Sequence, residues 1–271
     1  PARNMKGEIR IRDGFIITVL FWLVLSIFGA LPFALSQETN LSFIDALFES
    51  ISGLTTTGAT VFTNLEDLPK SILYYRQQLQ WLGGIGIVVI AVSILPMIGV
   101  GGMQIYKAET PGPIKDTKLT PRIAETANAL FKIYVFLTVA CAIAYWVAGM
   151  SWFDALSHSF STISIGGFST YDESLGHFDN NAVLTIASIF MVVSGLNFAL
   201  HYTAWHARSI KSYISDPEAR LFVLVILFGI LVTTYFLYTT ANMPNEEILF
   251  VGVFQLISIL TTTGFTTTEF H

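Results

Sequence analysis

Gly53-Leu54-Thr55-Thr56-Thr57-Gly58-Ala59-Thr60 returns near the other end of the chain as Ile259-Leu260-Thr261-Thr262-Thr263-Gly264-Phe265-Thr266. Between them lies a looser copy, Ser164-Ile165-Gly166-Gly167-Phe168-Ser169, which lacks the threonine triplet. The glycines at 58, 167 and 264 recur at roughly 100-residue intervals, the signature of an internal repeat. The flanks repeat too: Phe43-Ile44-Asp45-Ala46-Leu47 leads to Gly58 as Trp152-Phe153-Asp154-Ala155-Leu156 leads to Gly167, over the same spacing.

Each Thr/Ser/Gly loop follows an apolar stretch (43–54, 152–163, 248–260) too short to cross a bilayer core of ~30 Å, which needs ~20 helical residues. Five other stretches are long enough: 15–35, 79–100, 129–148, 182–207 and 219–241. Only 12% of residues are charged, against roughly 25% in soluble domains. The expected fold is therefore all-α and integral to the membrane, built of repeated units of span, short pore helix, filter loop and span. The units run 1–105, 106–215 and 216–271, the third ending just after its loop. The first apolar run is followed by no small-residue cleavage site and is read as a span rather than a signal.

Lys and Arg set the orientation. Arg3, Lys6, Arg10 and Arg12 precede the first span, Lys107, Lys115, Lys118 and Arg122 fill the second connection, and Arg208, Lys211 and Arg220 the fourth. The connections bearing the loops hold only Lys70 and Arg76, beside Glu66, Asp67, Asp172, Glu173, Asp179, Glu246 and Glu247. The loops are expected to open to the outside, at acid-rich mouths. A net charge of −5, thinly spread, leaves no footprint for nucleic acid.

A cation entering a membrane must exchange water for oxygen ligands, and rings of backbone carbonyls can supply them. Non-helical backbone is tolerated at that depth only where it lines a cavity or is buried in protein. A short helix whose C-terminal end points inward adds partial negative charge there. Glycine at 58, 167 and 264 permits backbone angles that a Cβ would penalise. Threonine hydroxyls at 55–57 and 261–263 can add ligands or brace the loop.

The pattern T-T-T-G-[AF]-T on a span, pore helix and span resembles the Trk/Ktr/HKT superfamily of potassium transporters, whose loops are degenerate relatives of the potassium-channel filter. Lys6-Gly7-Glu8-Ile9-Arg10-Ile11-Arg12-Asp13-Gly14-Phe15 and Trp81-Leu82-Gly83-Gly84-Ile85-Gly86 are similar to the bacterial TrkH branch. The resemblance implies four units around one pore, with four-fold pseudosymmetry in the full protein, so that this chain is a fragment lacking the fourth unit and a gating loop. It implies potassium uptake, not enzymatic activity, with K⁺ as the transported ion and no other cofactor. The ligands it implies are the carbonyls of Thr56, Thr57 and Gly58, of Ile165, Gly166 and Gly167, and of Thr262, Thr263 and Gly264. It further implies a multi-pass protein of the bacterial inner membrane with periplasmic filter loops, a homodimer, and a cytosolic nucleotide-binding ring of the TrkA type. Symport remains open beside channel-like flow. Some superfamily members with serine in place of the first-loop glycine favour Na⁺, so Gly58 supports K⁺; a Na⁺-permeant relative is the alternative, and a small-solute carrier a more distant one.

Other features read more plainly. Gly83-Gly84-Ile85-Gly86 sits in a span without a preceding strand, which favours close helix packing over phosphate binding; Pro96 is expected to bend that span. Asn197, His201, Tyr202 and His206 lie along the fourth span, Asn197 and His201 on one helical face, lining an inner pore or bonding between helices. His158 carries no signal, and Asp45 and Asp154 are read as helix caps. Cys141 is read as a buried thiol. The connection 107–122, with Pro111, Gly112, Pro113 and Pro121, is a loop or a docking surface for a regulatory ring. An intramembrane enzyme would need acids or metal ligands deep in the spans, and none of the five carries an Asp or Glu well inside.

Overall fold

The computed structural model describes residues 11–98, 119–240 and 245–267. The basic residues before position 11, and Lys107, Lys115 and Lys118 with most of the docking surface read there, lie outside them. The described residues are helical, with no strand among them. In chain order they form α1 (Ile11–Leu35), α2 (Phe43–Leu54), α3 (Lys70–Ile98), α4 (Leu119–Val147), α5 (Trp152–Ile163), α6 (Asn181–Gly195), α7 (Phe198–Ala207), α8 (Lys211–Ser215), α9 (Pro217–Thr240) and α10 (Asn245–Leu260).

Windows in α1 (Thr18–Leu35), α4 (Thr126–Val147) and α9 (Pro217–Thr240) are long and apolar enough to cross a membrane. Their outward side chains are apolar: Phe28, Leu231 and Tyr235 are 65%, 69% and 73% exposed, the pattern of a surface solvated by lipid. α3 has 29 residues, which at ~1.5 Å per residue gives it ample length as well. It begins at Lys70, nearer the loop than the apolar run 79–100 suggested, because the polar Arg76, Gln77 and Gln80 turn inward instead of ending the helix; all three are fully buried.

The expected span 182–207 is not one straight helix. α6 and α7 meet at a 90° bend. Leu196 is extended (φ −75°, ψ 152°), and the Asn197 side chain accepts from Ala199 N to cap α7. Asn197 and His201 therefore do not share a continuous helical face. His201 instead fastens the bend, one ring nitrogen 2.9 Å from Val193 O and the other 2.7 Å from the Tyr213 hydroxyl.

In lipid, helices gain little from expelling water, so association rests on close packing and interhelical hydrogen bonds of roughly 1 kcal/mol each. α1 packs on α2 and α2 on α3; α4 packs on α5 and α5 on α6; α9 packs on α10. Across these groups α3 packs against α4 and α5, and α6 against α10. Gly83 backs onto Leu54 at the end of α2, and Gly84 onto Ser164 and the Tyr134 hydroxyl, leaving no room for a Cβ at either. Trp81 Nε1 donates to Thr138 Oγ1, and Tyr134 Oη to Trp81 O, each at 3.0 Å. The glycine run thus serves helix packing, as its sequence context indicated.

Candidate functional site

α2 and α5 begin alike. Ser42 and Ser151 accept from the backbone N–H of Asp45 and Asp154 and donate to their carboxylates at 2.7 Å, a reciprocal N-cap that suits an acid near the positive helix end. Asp154 does more than cap. Thr170 Oγ1 donates to it at 2.9 Å and Tyr171 Oη at 3.3 Å, so it also ties α5 to the chain leaving the second loop. Burial and the nearby Asp154 carboxylate push the Tyr171 phenol up from its ordinary value, which keeps it a donor.

All three short helices end in one geometry. Thr57 N donates to Ser52 O, Gly166 N to Ser161 O and Thr263 N to Ser258 O, while Thr56, Ile165 and Thr262 N each donate three residues back. This is a Schellman termination, whose turning residue adopts the left-handed conformation. That residue is ordinarily glycine; here it is Thr56 (φ 53°), Ile165 (φ 49°) and Thr262 (φ 61°). A β-branched residue in that region is an outlier costing about 1–3 kcal/mol. Gly58, Gly167 and Gly264 follow two positions later, at φ 79°, 81° and 84°. The second loop thus keeps the conformation of the other two although its sequence diverges.

The loops also meet. A Cβ on Gly58 would overlap the Gly166 carbonyl oxygen, and a Cβ on Gly167 would overlap that of Thr263. Each of these glycines thus lies against the carbonyl just before the matching glycine of the next loop. Further out, Leu65 N donates to Asp172, Thr266 N donates to Ser174 Oγ at 3.2 Å, and Gly176 N to Thr266 O at 3.2 Å. All nine residues singled out in the sequence, from Thr56 to Gly264, stand in these three turns.

A bracing layer behind the loops was not foreseen. Arg76 Nη1 donates to Ser169 O at 3.1 Å, Gln77 Nε2 to Phe168 O at 3.0 Å and Gln80 Nε2 to Gly166 O at 2.7 Å, while Gln80 Oε1 accepts from Phe168 N at 3.1 Å. Ser161 Oγ donates to Gln77 Oε1. Glu49 holds Thr60 Oγ1 and Val61 N in the first loop. The same place in α5 belongs to His158, whose rings nitrogens lie 2.9 Å from Asp154 O and Ser169 Oγ. A polar run, Arg76-Gln77-Gln78, opening an otherwise apolar helix was the available signal. No group of three or more His, Cys, Asp or Glu able to hold a metal occurs among the described residues.

The sequence matches, over residues 1–271, the family described as TrkH, cation transport protein. It is 55% identical over 270 residues to the Trk system potassium uptake protein TrkH of Halomonas elongata, covering 100% of this chain and 56% of that protein. The Escherichia coli K12 protein of the same name is 54% identical over 272 residues, covering 98% and 56%. The crystal structure of the potassium transporter TrkH from Vibrio parahaemolyticus superposes with a TM-score of 0.89 at 49% identity, covering 98% of this chain and 54% of that one. The chain spans about half the length of these relatives.

Proposed function

The chain belongs to the TrkH family of cation transport proteins, and from that premise we propose that its three loops form part of a potassium-selective path across the membrane. The observation that carries the reading is the convergence of three identical turns, each of the first two glycines lying against a carbonyl of the next loop. The helix ends add partial negative charge beside them. Backbone carbonyls of Thr56, Thr57, Gly58, Ile165, Gly166, Gly167, Thr262, Thr263 and Gly264 would replace the hydration shell of K⁺, the transported ion.

We further propose three repeat units, 1–105, 106–215 and 216–271, a division supported by the recurrence of one turn geometry in each. In the complete protein a fourth unit would close the ring, its loop continuing the series at Gly264. The acid-rich, Lys/Arg-poor connections support a periplasmic position for the loops in an inner membrane. A homodimer with a nucleotide-binding cytosolic ring of the TrkA type is the proposed assembly.

The test is uptake by the complete transporter in liposomes, comparing Rb⁺ with Na⁺ for the wild type and Gly167→Ser. Rb⁺-preferring uptake that loses its preference in the variant supports the reading. A preference untouched by the substitution removes these loops from the pathway, and equal Na⁺ uptake by the wild type favours the Na⁺-permeant alternative.

A further inference from the structure

The second loop lacks the paired threonine hydroxyls of the other two, and the structure shows what stands in their place. In the first loop the Thr55 and Thr57 hydroxyls pair at 2.8 Å, and in the third those of Thr261 and Thr263 at 2.7 Å. The second loop has Ser164 and Gly166 at those places, and Ser164 Oγ turns back to Ser161 O. Gly166 is not among the residues with positive φ, so its backbone does not require glycine. Its missing side chain makes room for Gln80: a Cβ there would fall 2.5 Å from Gln80 Cδ and 2.6 Å from Oε1.

Gln80 comes from α3, outside the second loop's own helices, and is fully buried. Its amide spans the turn, donating to Gly166 O and accepting from Phe168 N. The two bonds fix which end is nitrogen, and they bracket the peptides on both sides of Gly167. A donor on a carbonyl holds its direction and withdraws electron density, lowering the field it offers a cation. Weak-field oxygens favour the larger, more easily dehydrated ion.

We propose that Gln80 is the positioning residue of the second loop, replacing the threonine pair of the other loops and holding the Gly166 carbonyl in a geometry that prefers K⁺ to Na⁺. The inference rests on the reading of these loops as the ion pathway.

The experiment compares Rb⁺ and Na⁺ uptake in liposomes by the complete transporter and its variants. Gln80→Glu keeps the size and the acceptor for Phe168 N but removes the donor. The Rb⁺/Na⁺ ratio should fall about tenfold, the worth of one buried hydrogen bond, with total flux retained. It should recover in part at low pH, where the protonated carboxyl donates again. Gly166→Thr alone should abolish uptake by colliding with Gln80, whereas Gly166→Thr with Gln80→Ala should restore Rb⁺ preference through a Ser164–Thr pair. A wild-type ratio in Gln80→Glu at every pH would overturn the proposal, as would an equal fall in both fluxes, which marks a residue that only supports the fold. Should Gly167→Ser also leave the ratio unchanged, it is the pathway reading itself that fails.

Discussion

Glu49 Oε1 accepts from Arg76 Nε at 2.7 Å, with both side chains closed to solvent. The carboxylate also accepts from Thr60 Oγ1 and Val61 N, and the guanidinium donates to Thr60 Oγ1 at 2.9 Å and Ser169 O at 3.1 Å. Phe168 and Phe62 rings lie 4.3 and 5.2 Å from the Arg76 carbon. A buried ion pair offsets its desolvation only when its remaining groups are satisfied, and here every nitrogen of the guanidinium has a partner. One pair therefore joins α2, α3 and the first two loops.

Arg76→Met should destabilise the protein by about 3–5 kcal/mol, because it strands a buried carboxylate. Glu49→Gln combined with Arg76→Met should regain a good part of that loss by removing the stranded charge. Thermal unfolding in detergent measures both. An Arg76→Met protein as stable as wild type would mean that Glu49 reaches water and that the pair does not hold the loops together.

Cys141 is fully buried in the core, near Tyr145 and Thr162. A water-soluble maleimide should label it only after denaturation, since reactivity needs both exposure and thiolate. Cys141→Ala removes a single sulfur from a packed site, at a cost of about 1 kcal/mol, and should leave the Rb⁺/Na⁺ ratio unchanged. Rapid labelling of the folded protein would contradict the packing of α4 against α5.

The three turns and the helices around them were legible in the sequence because two strong signals coincide there: apolar runs of bilayer length, and a recurring Thr/Ser/Gly loop whose glycine lies, in the first two copies, at a fixed distance from a capping aspartate. The bracing layer was not, because Arg76, Gln77 and Gln80 read from the chain as the polar start of a span. Nothing local says that they face another loop some 90 residues later. His158 was passed over for the same reason, its partner Ser169 being fixed only by the turn at Ile165. The break at Leu196-Asn197 hides inside an apolar stretch, where Asn197 resembles a helix-face polar residue as much as a cap.

His201→Phe tests that break. The substitution keeps ring packing but removes the contacts with Val193 O and Tyr213 Oη, at a cost of about 1–3 kcal/mol for the polar groups left without partners. Hydrogen exchange should quicken in segment 193–213 and stay unchanged in 152–170, with the Rb⁺/Na⁺ ratio intact. Faster exchange spread over both segments would show that the bend and the loops form one cooperative unit.

Gly264 tests the closing of the ring. Its φ of 84° matches that of Gly58 and Gly167, yet a Cβ there meets nothing within 4 Å among the described residues, whereas one on Gly167 would strike the Thr263 carbonyl. Strain alone would cost Gly264→Ala about 1–2 kcal/mol, and Gly167→Ala carries a backbone collision in addition. If a further loop continues the series in the complete transporter, that difference should vanish, because Gly264 would face a carbonyl of its own. Gly58→Ala, Gly167→Ala and Gly264→Ala should then lower the Rb⁺/Na⁺ ratio to a similar extent in liposome uptake. A Gly264→Ala protein that keeps most of its preference while the other two lose theirs would rule out a fourth loop packed in this register.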